Sequence, residues 1–364
     1  MNHRISTLLL VGFACSATLS AESHAKNIIL FIGDAGGIST LNAASIHGYE
    51  APQKLFLQRM PHIGLSDTSA SNAWVTDSAA GMSAIVTGQK TTNGTLSQTP
   101  DGAPVKTILE YAEQHGLSTG VISNVNMADA TPAACYSHVD SRKKFGEIFS
   151  QVWEPRFGDG VDFVFGGGRT KILDSMKELK VDMDERLTAA GWPLFPSVSD
   201  VPDHAKKAVV LVDGDDFKVD EATAKAIHLL SRNPKGYFLM VEWDLHPTKP
   251  ERMLGQAVAF DKLIERTVKE LASKDTLVLF AADHSFDFRL RGGKKDRPLV
   301  LPENAKESAA AVPATKFDVA VGTAHTGEEV LVAANGPGSD RVHGFMPNTA
   351  IFHVMLNAFG WKER

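Results

Sequence analysis

The sequence predicts an α/β fold, a doubly wound, mostly parallel central sheet with helices on both faces. Three observations carry this expectation. Six short runs rich in β-branched and apolar residues read as buried strands. Segments of helical periodicity separate most of them, and such alternation joins parallel strands through helical crossovers. The chain has 364 residues, 43% hydrophobic and 22% charged, enough apolar material for one large domain or two modest ones and unlike a disordered composition.

In chain order, the first 25 residues stand apart. Met1-Asn2-His3-Arg4 is followed by an apolar run from Ile5 to Ala17 and small residues through Ala21 and Ala25, the pattern of a secretory signal peptide. The run is shorter than the roughly 20 apolar residues of a membrane span, and no later segment reaches that length. The expectation is an exported, periplasmic or extracellular protein with no transmembrane segment. Cys15 falls inside the signal, and Gly12-Phe13-Ala14-Cys15 makes a poor lipobox, so a lipid anchor is not expected. Cys135 then has no intrachain disulfide partner. Strands are expected at Asn27 to Ile32, Thr119 to Ser123, Asp162 to Phe165, Ala208 to Val212, Tyr237 to Val241 and Thr276 to Ala281. Helices are expected at Thr40 to Ile46, Ser78 to Val86, Val105 to Gln114, Ser141 to Gln151, Asp220 to Leu230, Met253 to Leu271 and Asn348 to Phe359. The stretch from Arg289 to Val321, rich in Gly, Pro, Lys and Ala, reads as an excursion outside the sheet. A net charge of -6 gives no basic footprint for nucleic acid.

Val75-Thr76-Asp77-Ser78-Ala79-Ala80-Gly81 places a serine where an alanine-rich helix begins. Amides of a first helical turn lack intrahelical partners and the dipole there is positive, so an oxygen at that end is favoured as an anion or phosphoryl ester. The same geometry serves a plain helix cap by Asp77 or Ser78. What favours the chemical reading is its company. In doubly wound sheets ligands gather at the carboxyl ends of strands, and three strand exits there carry metal-ligand chemistry. Ile28 to Gly33 runs into Asp34, Tyr237 to Val241 into Glu242-Trp243-Asp244-Leu245-His246, and Leu277 to Ala282 into Asp283-His284. Imidazole suits zinc, carboxylates suit zinc or magnesium, and a mixed set beside a serine fits a multi-metal phosphoryl-transfer site.

With these residues in view, the chain resembles the alkaline phosphatases over nearly all of residues 26–364, with the motifs in that family's order. Asn27 to Asp34 is similar to its first strand and Thr76-Asp77-Ser78-Ala79-Ala80 to its nucleophile motif. Asp129-Ala130-Thr131-Pro132-Ala133-Ala134, followed by His138-Val139-Asp140-Ser141-Arg142-Lys143, resembles the segment with a magnesium-site pair and the phosphate-binding arginine. Gly166-Gly167-Gly168-Arg169 is family-like. Thr276 to His284 resembles the strand delivering an Asp-His ligand pair, and Ala324-His325-Thr326-Gly327-Glu328-Glu329-Val330 the last ligand motif. The resemblance implies one catalytic domain that hydrolyses small phosphate monoesters through a phosphoserine on Ser78, with Arg142 clamping the phosphate. It implies Asp34, Ser78, Asp283 and His284 around one Zn2+, and His246 and His325 with a carboxylate around a second. Asp34, Asp129, Thr131 and Glu242 would surround one Mg2+. It also allows a homodimer.

The segment after Val241 departs from the family. There an Asp and a His ligand, one helical turn apart in sequence, follow the glutamate after several small residues, whereas here Glu242, Asp244 and His246 are close together. In an extended stretch these three point to one side, so Asp244 is expected either on the same ion as His246 or as the carboxylate that orients it. His246 keeps family spacing to Val258-Ala259-Phe260-Asp261. Gly33-Asp34-Ala35-Gly36-Gly37 also differs from the usual glycine-methionine form. Two other readings remain at this level, a phosphate-binding scaffold that lost a metal through the altered loop, and a phosphodiesterase of the same superfamily. Ser78 with Arg142 argues against the latter. His47, His62, His115, His204 and His343 read as ordinary histidines, His138 receives no role, and Trp74 reads as a packing residue.

Overall fold

A computed structural model describes residues 24–214, 217–271, 275–300 and 318–362. Its centre is a ten-stranded sheet of β1 (Asn27–Asp34), β2 (His62–Ser66), β3 (Ser118–Asn126), β4 (Phe163–Gly167), β5 (Leu194–Phe195), β6 (Ala208–Val212), β7 (Tyr237–Asp244), β8 (Thr276–Ala281), β11 (Val330–Asn335) and β12 (Gly344–Met346). A separate two-stranded antiparallel ribbon joins β9 (Ser285–Leu290) and β10 (Val319–Thr326). The sheet order is β12-β2-β11-β8-β1-β7-β3-β4-β6-β5. Among the described strands of this sheet only β11 runs against its neighbours, β2 and β8, so the sheet is mostly parallel, as the strand-helix alternation predicts.

Helices cover both faces: α1 (Ile38–Tyr49), α2 (Ser78–Thr87), α3 (Ile108–Gln114), α4 (Ala130–Ala133), α5 (Phe145–Ser150), α6 (Arg169–Glu178), α7 (Met183–Ala190), α8 (Val219–Leu230), α9 (Pro250–Glu270) and α10 (Thr349–Ala358). Because side chains alternate along a strand, β1 feeds two cores. Ile28, Leu30 and Ile32 pack with α2, α3 and α10, whereas Ile29 and Phe31 pack with α1 and α9. The parity continues past the apolar runs. Glu242 and Asp244 share the side of Phe238 and Met240, and Asp34 that of Ile32, so these carboxylates leave their strands toward the face on which α2 lies.

Several boundaries differ from expectation. β1 and β7 run on through Asp34 and Asp244, which pair across the ladder, because parallel pairing continues under polar residues that read as stop signals. The helix expected from Ser141 begins only at Phe145, and residues 141–144 form a turn instead. Thr107 and Glu110 form a capping box that delays the helix expected from Val105 until Ile108. Helices α6 and α7 escape the sequence pattern because each buries only two residues, Ile172 and Met176 in one, Met183 and Leu187 in the other. The ends of the Arg289 to Val321 stretch belong to the ribbon; residues 301–317 of it, like residues 1–23 of the expected signal peptide, lie outside the described residues. No helix among the described residues is long and apolar enough to cross a membrane.

Candidate active site

Helix α2 starts at Ser78 because Asp77, in extended backbone, caps it and accepts the Ala80 N–H at 3.1 Å. The cap is therefore Asp77, which leaves the Ser78 hydroxyl for other work. Gly81 brings the helix against the exit of β8. A Cβ there would lie 2.5 Å from the Asp283 carbonyl oxygen, so any side chain would push nucleophile and ligand strand apart. Ser78, Asp34, Asp283 and His284 all end up buried.

His284 is the hub. Its Nδ1 lies 3.0 Å from the Ser285 carbonyl, which can only accept, so Nδ1 carries a proton and Nε2 faces the site. Nε2 lies 3.1 Å from Ser78 Oγ and 3.1 Å from Asp34 Oδ1. His246 and His325 repeat the pattern. Asp244 Oδ1 sits 2.7 Å from His246 Nδ1, the Thr76 carbonyl sits 2.9 Å from His325 Nδ1, and the two Nε2 atoms face each other at 3.5 Å. The His284 and His325 rings stack at 3.8 Å. Each imidazole is thus held by one nitrogen and offers the other, the arrangement of metal-binding histidines.

Three sets of potential ligand atoms, each within 4.8 Å, result: His246 with His284 and His325, Asp34 with Asp244 and His246, and Asp34 with Asp283 and His284. Glu242 lies at the base of the site, fully buried. Ser123 Oγ donates to its Oε2 at 2.5 Å, while Oε1 has no hydrogen-bond partner among the described residues. Thr131, carried by α4, lies 3.5 Å from Asp283 Oδ2. The structure does not bring Asp129 into any of these sets. Its carboxylate caps α4 and takes Arg142 Nη2 at 2.8 Å, while Arg142 Nη1 reaches Asp77 at 3.1 Å. The turn before α5 sets this arginine, its N–H donating to the Gly94 carbonyl at 2.7 Å.

The electrostatics call for cations. Burial pushes Glu242 well above the ordinary carboxylate range, and the charge of Asp34 adds to it. Burial and Asp34 likewise push Asp283 up to about 7. Burial would raise Asp34 too, but the charge of His246 and the hydrogen bond and charge of His284 hold it well below its ordinary value. Against burial, Asp283 and Asp34 raise His284 to about 9. Crowded acids here share protons and imidazolium charge, a poor substitute for divalent ions. A fully buried carboxylate oxygen with no hydrogen-bond donor among the described residues, beside oxygen and imidazole ligand atoms, fits a bound metal.

The alkaline phosphatase family model matches residues 25–189 and 212–314. The chain belongs to the alkaline phosphatase family. It is 30% identical to the alkaline phosphatase of Escherichia fergusonii over 93% of this chain and 87% of that one. It is also 27% identical to the streptomycin-6-phosphate phosphatase of Streptomyces griseus, over 98% and 96% of the two chains. The alkaline phosphatase of the Antarctic bacterium TAB5 superposes with a TM-score of 0.78 at 26% identity, covering 93% of this chain and 100% of that one. A mutant of that Antarctic enzyme is described with Mg bound. The chain is accordingly an enzyme, a phosphoric monoester hydrolase.

Within this alkaline phosphatase, some residues escape sequence reasoning. Ser123 holds Glu242, and Asn124 Oδ1 accepts the Asp244 N–H at 2.8 Å, yet both sit inside an unremarkable strand. Asn93 bonds the Asp77 N–H and the Val75 carbonyl, fixing the approach to the nucleophile. His138 is buried between the Ser97 carbonyl and Glu110 at 2.7 and 2.8 Å, upstream of Arg142. One reading is overturned. Trp74 is not a packing residue among the described residues; it is 88% exposed.

Proposed function

We propose that the chain hydrolyses phosphate monoesters through a phosphoserine on Ser78, at a site holding two zinc ions and one magnesium ion. Asp34, Asp283 and His284 with Ser78 would hold one zinc, and His246 and His325 the other, with Asp244 either on that ion or orienting His246. Glu242, with Asp34 and Thr131 and with Asp129 turned inward, would hold magnesium, since every donor is oxygen. Bound cations would supply Lewis acidity, favouring the serine alkoxide and offsetting charge on the departing oxygen.

The residues supply the rest. Ser78 Oγ is aimed by its place in the first turn of α2 and by His284 Nε2, and the positive end of the helix dipole favours a phosphoryl group there. The Ser78 oxygen forms a bond to phosphorus as the ester oxygen leaves as an alcohol, and water then cleaves the phosphoserine to phosphate and free serine. Arg142, which presents two guanidinium nitrogens to Asp77 and Asp129, would turn its planar fork onto two phosphate oxygens. The reading of a scaffold that lost a metal draws no support, because His246 still converges with His284 and His325 despite the compressed 242–246 segment. The observation that carries the proposal is Ser78 Oγ at 3.1 Å from His284 Nε2, itself 3.1 Å from Asp34.

Acid quenching during turnover of a labelled monoester is expected to trap phosphate on Ser78, and Ser78→Ala to lower the rate by several orders of magnitude. Label on another residue, or none with turnover intact, would overturn the mechanism. Residues 1–25 are further proposed to direct export, readable from the N-terminus of the mature protein.

A further inference from the structure

His284 and His325 are assigned to different zinc ions, yet their rings stack at 3.8 Å. The segments that carry them meet at the base of the β9–β10 ribbon, where Ser285 pairs with Thr326 and Phe286 with His325. This base touches all three converging histidines. The Ser285 carbonyl holds His284 Nδ1 at 3.0 Å, and the Phe286 ring lies edge-on to His246 at 5.1 Å and to His325 at 5.7 Å.

One contact outside the ladder closes the base. Ser285 Oγ donates to Glu328 Oε1 at 2.8 Å, across 43 residues of sequence. Ser285 is buried and Glu328 exposed, and a hydrogen bond to an exposed group ordinarily adds little. Three features single this one out. A Cβ at Gly37 would fall on the Ser285 hydroxyl, so the exit of β1 from Gly33 to Gly37, which departs from the family's form, leaves the space in which that hydroxyl sits. Gly327 rests against the segment before the nucleophile, where a Cβ would lie 3.1 Å from the Trp74 carbonyl, so the loop that bears Glu328 is backed on that side. The bond also closes a circuit from His284 through Ser285 and Glu328 to His325, three residues upstream of Glu328.

We infer that Glu328 is a positioning residue for the two zinc sites, its carboxylate latching Ser285 and thereby fixing the spacing between His284 and His325. The inference rests on the reading in which those histidines hold zinc. Glu328 belongs to none of the ligand sets, so it acts through Ser285. Ligands fixed in place before the ions arrive lose less freedom on binding them, and the latch therefore serves zinc affinity.

The test measures zinc affinity by competition with a chromophoric chelator at fixed magnesium. It compares the full unaltered enzyme with Glu328→Ala, Glu328→Gln, Ser285→Ala and the double variant Glu328→Ala/Ser285→Ala. A single hydrogen bond acting at one remove from a ligand corresponds to about a three- to tenfold loss of zinc affinity. Glu328→Ala and Ser285→Ala are each expected to show that loss. The double variant should lose no more than either, because both substitutions remove the same bond. Glu328→Gln should keep most of the affinity, since its side-chain carbonyl still accepts from Ser285. Unchanged zinc affinity in Glu328→Ala, or single losses that multiply in the double variant, would overturn the proposal. So would a lowered melting temperature with zinc affinity intact, the mark of a merely structural contact. The unaltered enzyme separates the two readings. Two zinc ions per chain there, bound as tightly by the variants, remove the latch alone, whereas no zinc there removes the zinc assignment and the latch with it.

Discussion

Two buried glutamates at opposite ends of β3 show how one fold treats the same chemistry in two ways. At the start of the strand, Thr119 Oγ1 lies 3.1 Å from Glu113 Oε1, and the Asp159 and Gly160 N–H groups donate to Oε2 at 3.1 and 3.2 Å. Toward its end, Ser123 Oγ donates to Glu242 Oε2, and Oε1 has no hydrogen-bond partner among the described residues. Burial raises both acids above their ordinary range. Glu113 is completed by its own chain. Among the described residues Glu242 Oε1 has no donor, and a buried acceptor without one costs on the order of 1–3 kcal/mol, which the proposed cation would offset. The contrast separates a carboxylate satisfied by its own chain from the one proposed to take a cation.

The largest expected effect follows from that difference. Exhaustive chelation is expected to abolish turnover and to lower the melting temperature by several degrees, because each ion bound at about a thousand times its dissociation constant contributes about 4 kcal/mol. Glu242→Gln should weaken magnesium retention, whereas Glu113→Gln should leave metal content as it was. Elemental analysis with a thermal melt decides it. Full activity after chelation, or equal metal loss from both variants, would break the comparison.

Asp244 lies between the extremes and sharpens the rule. It belongs to the site, yet its Oδ1 already accepts from the His246 N–H at 2.9 Å and lies 2.7 Å from His246 Nδ1. If orientation of His246 is its role, Asp244→Asn should cost about 10- to 100-fold in zinc affinity or activity. His246→Ala should lose one zinc per chain outright. Equal zinc loss from both variants would instead make Asp244 a direct ligand, and unchanged zinc in both would remove the 242–246 segment from the metal site.

The legible parts of this molecule share a cause. Asp34, Asp283 and His284 follow apolar runs that can only be buried strands, so their place at one end of a parallel sheet follows from pattern and topology. The helix start that carries Ser78 was recognisable, although there the pattern alone served a plain cap equally well, and only its company of strand-end acids and histidines favoured chemistry. Ser123 and Asn124 were not, because they gain meaning only when β3 lies beside β7, a pairing across 119 residues of sequence from Ser123 to Glu242. Strands β2, β5, β11 and β12 were missed as well, β11 despite five buried residues in a row and the Asn335-Gly336-Pro337-Gly338 turn signal at its end, because its apolar run directly follows the ligand motif. Trp74 reads as core by residue type alone, and only three-dimensional placement shows the indole in solvent. Sequence thus reveals groups that local pattern positions, and hides those positioned by distant partners.

The smallest expected effect tests whether Glu113 is at ease without a cation. Burial, then the charges of Asp159 and Glu110, push it from an ordinary 4.5 up to about 8. The Thr119 hydroxyl can either donate or accept, so the protonated acid remains satisfied. Between those pH values the folded chain binds more protons at this site than the unfolded chain does. Its contribution to stability is therefore fully present below about 4.5 and is lost as pH rises through about 8, with a slope of at most about 1.4 kcal/mol per pH unit. Glu113→Gln keeps a neutral side chain at every pH, so the variant should melt closer to the unaltered enzyme at pH 6 than at pH 9, where it should gain relative to it. The difference in melting temperature, measured at fixed zinc and magnesium, is the readout. A difference that does not change with pH would show Glu113 to be ionised in the folded protein throughout. Its three donors would then stabilise a charge, and the distinction between the two glutamates would rest on hydrogen bonds alone.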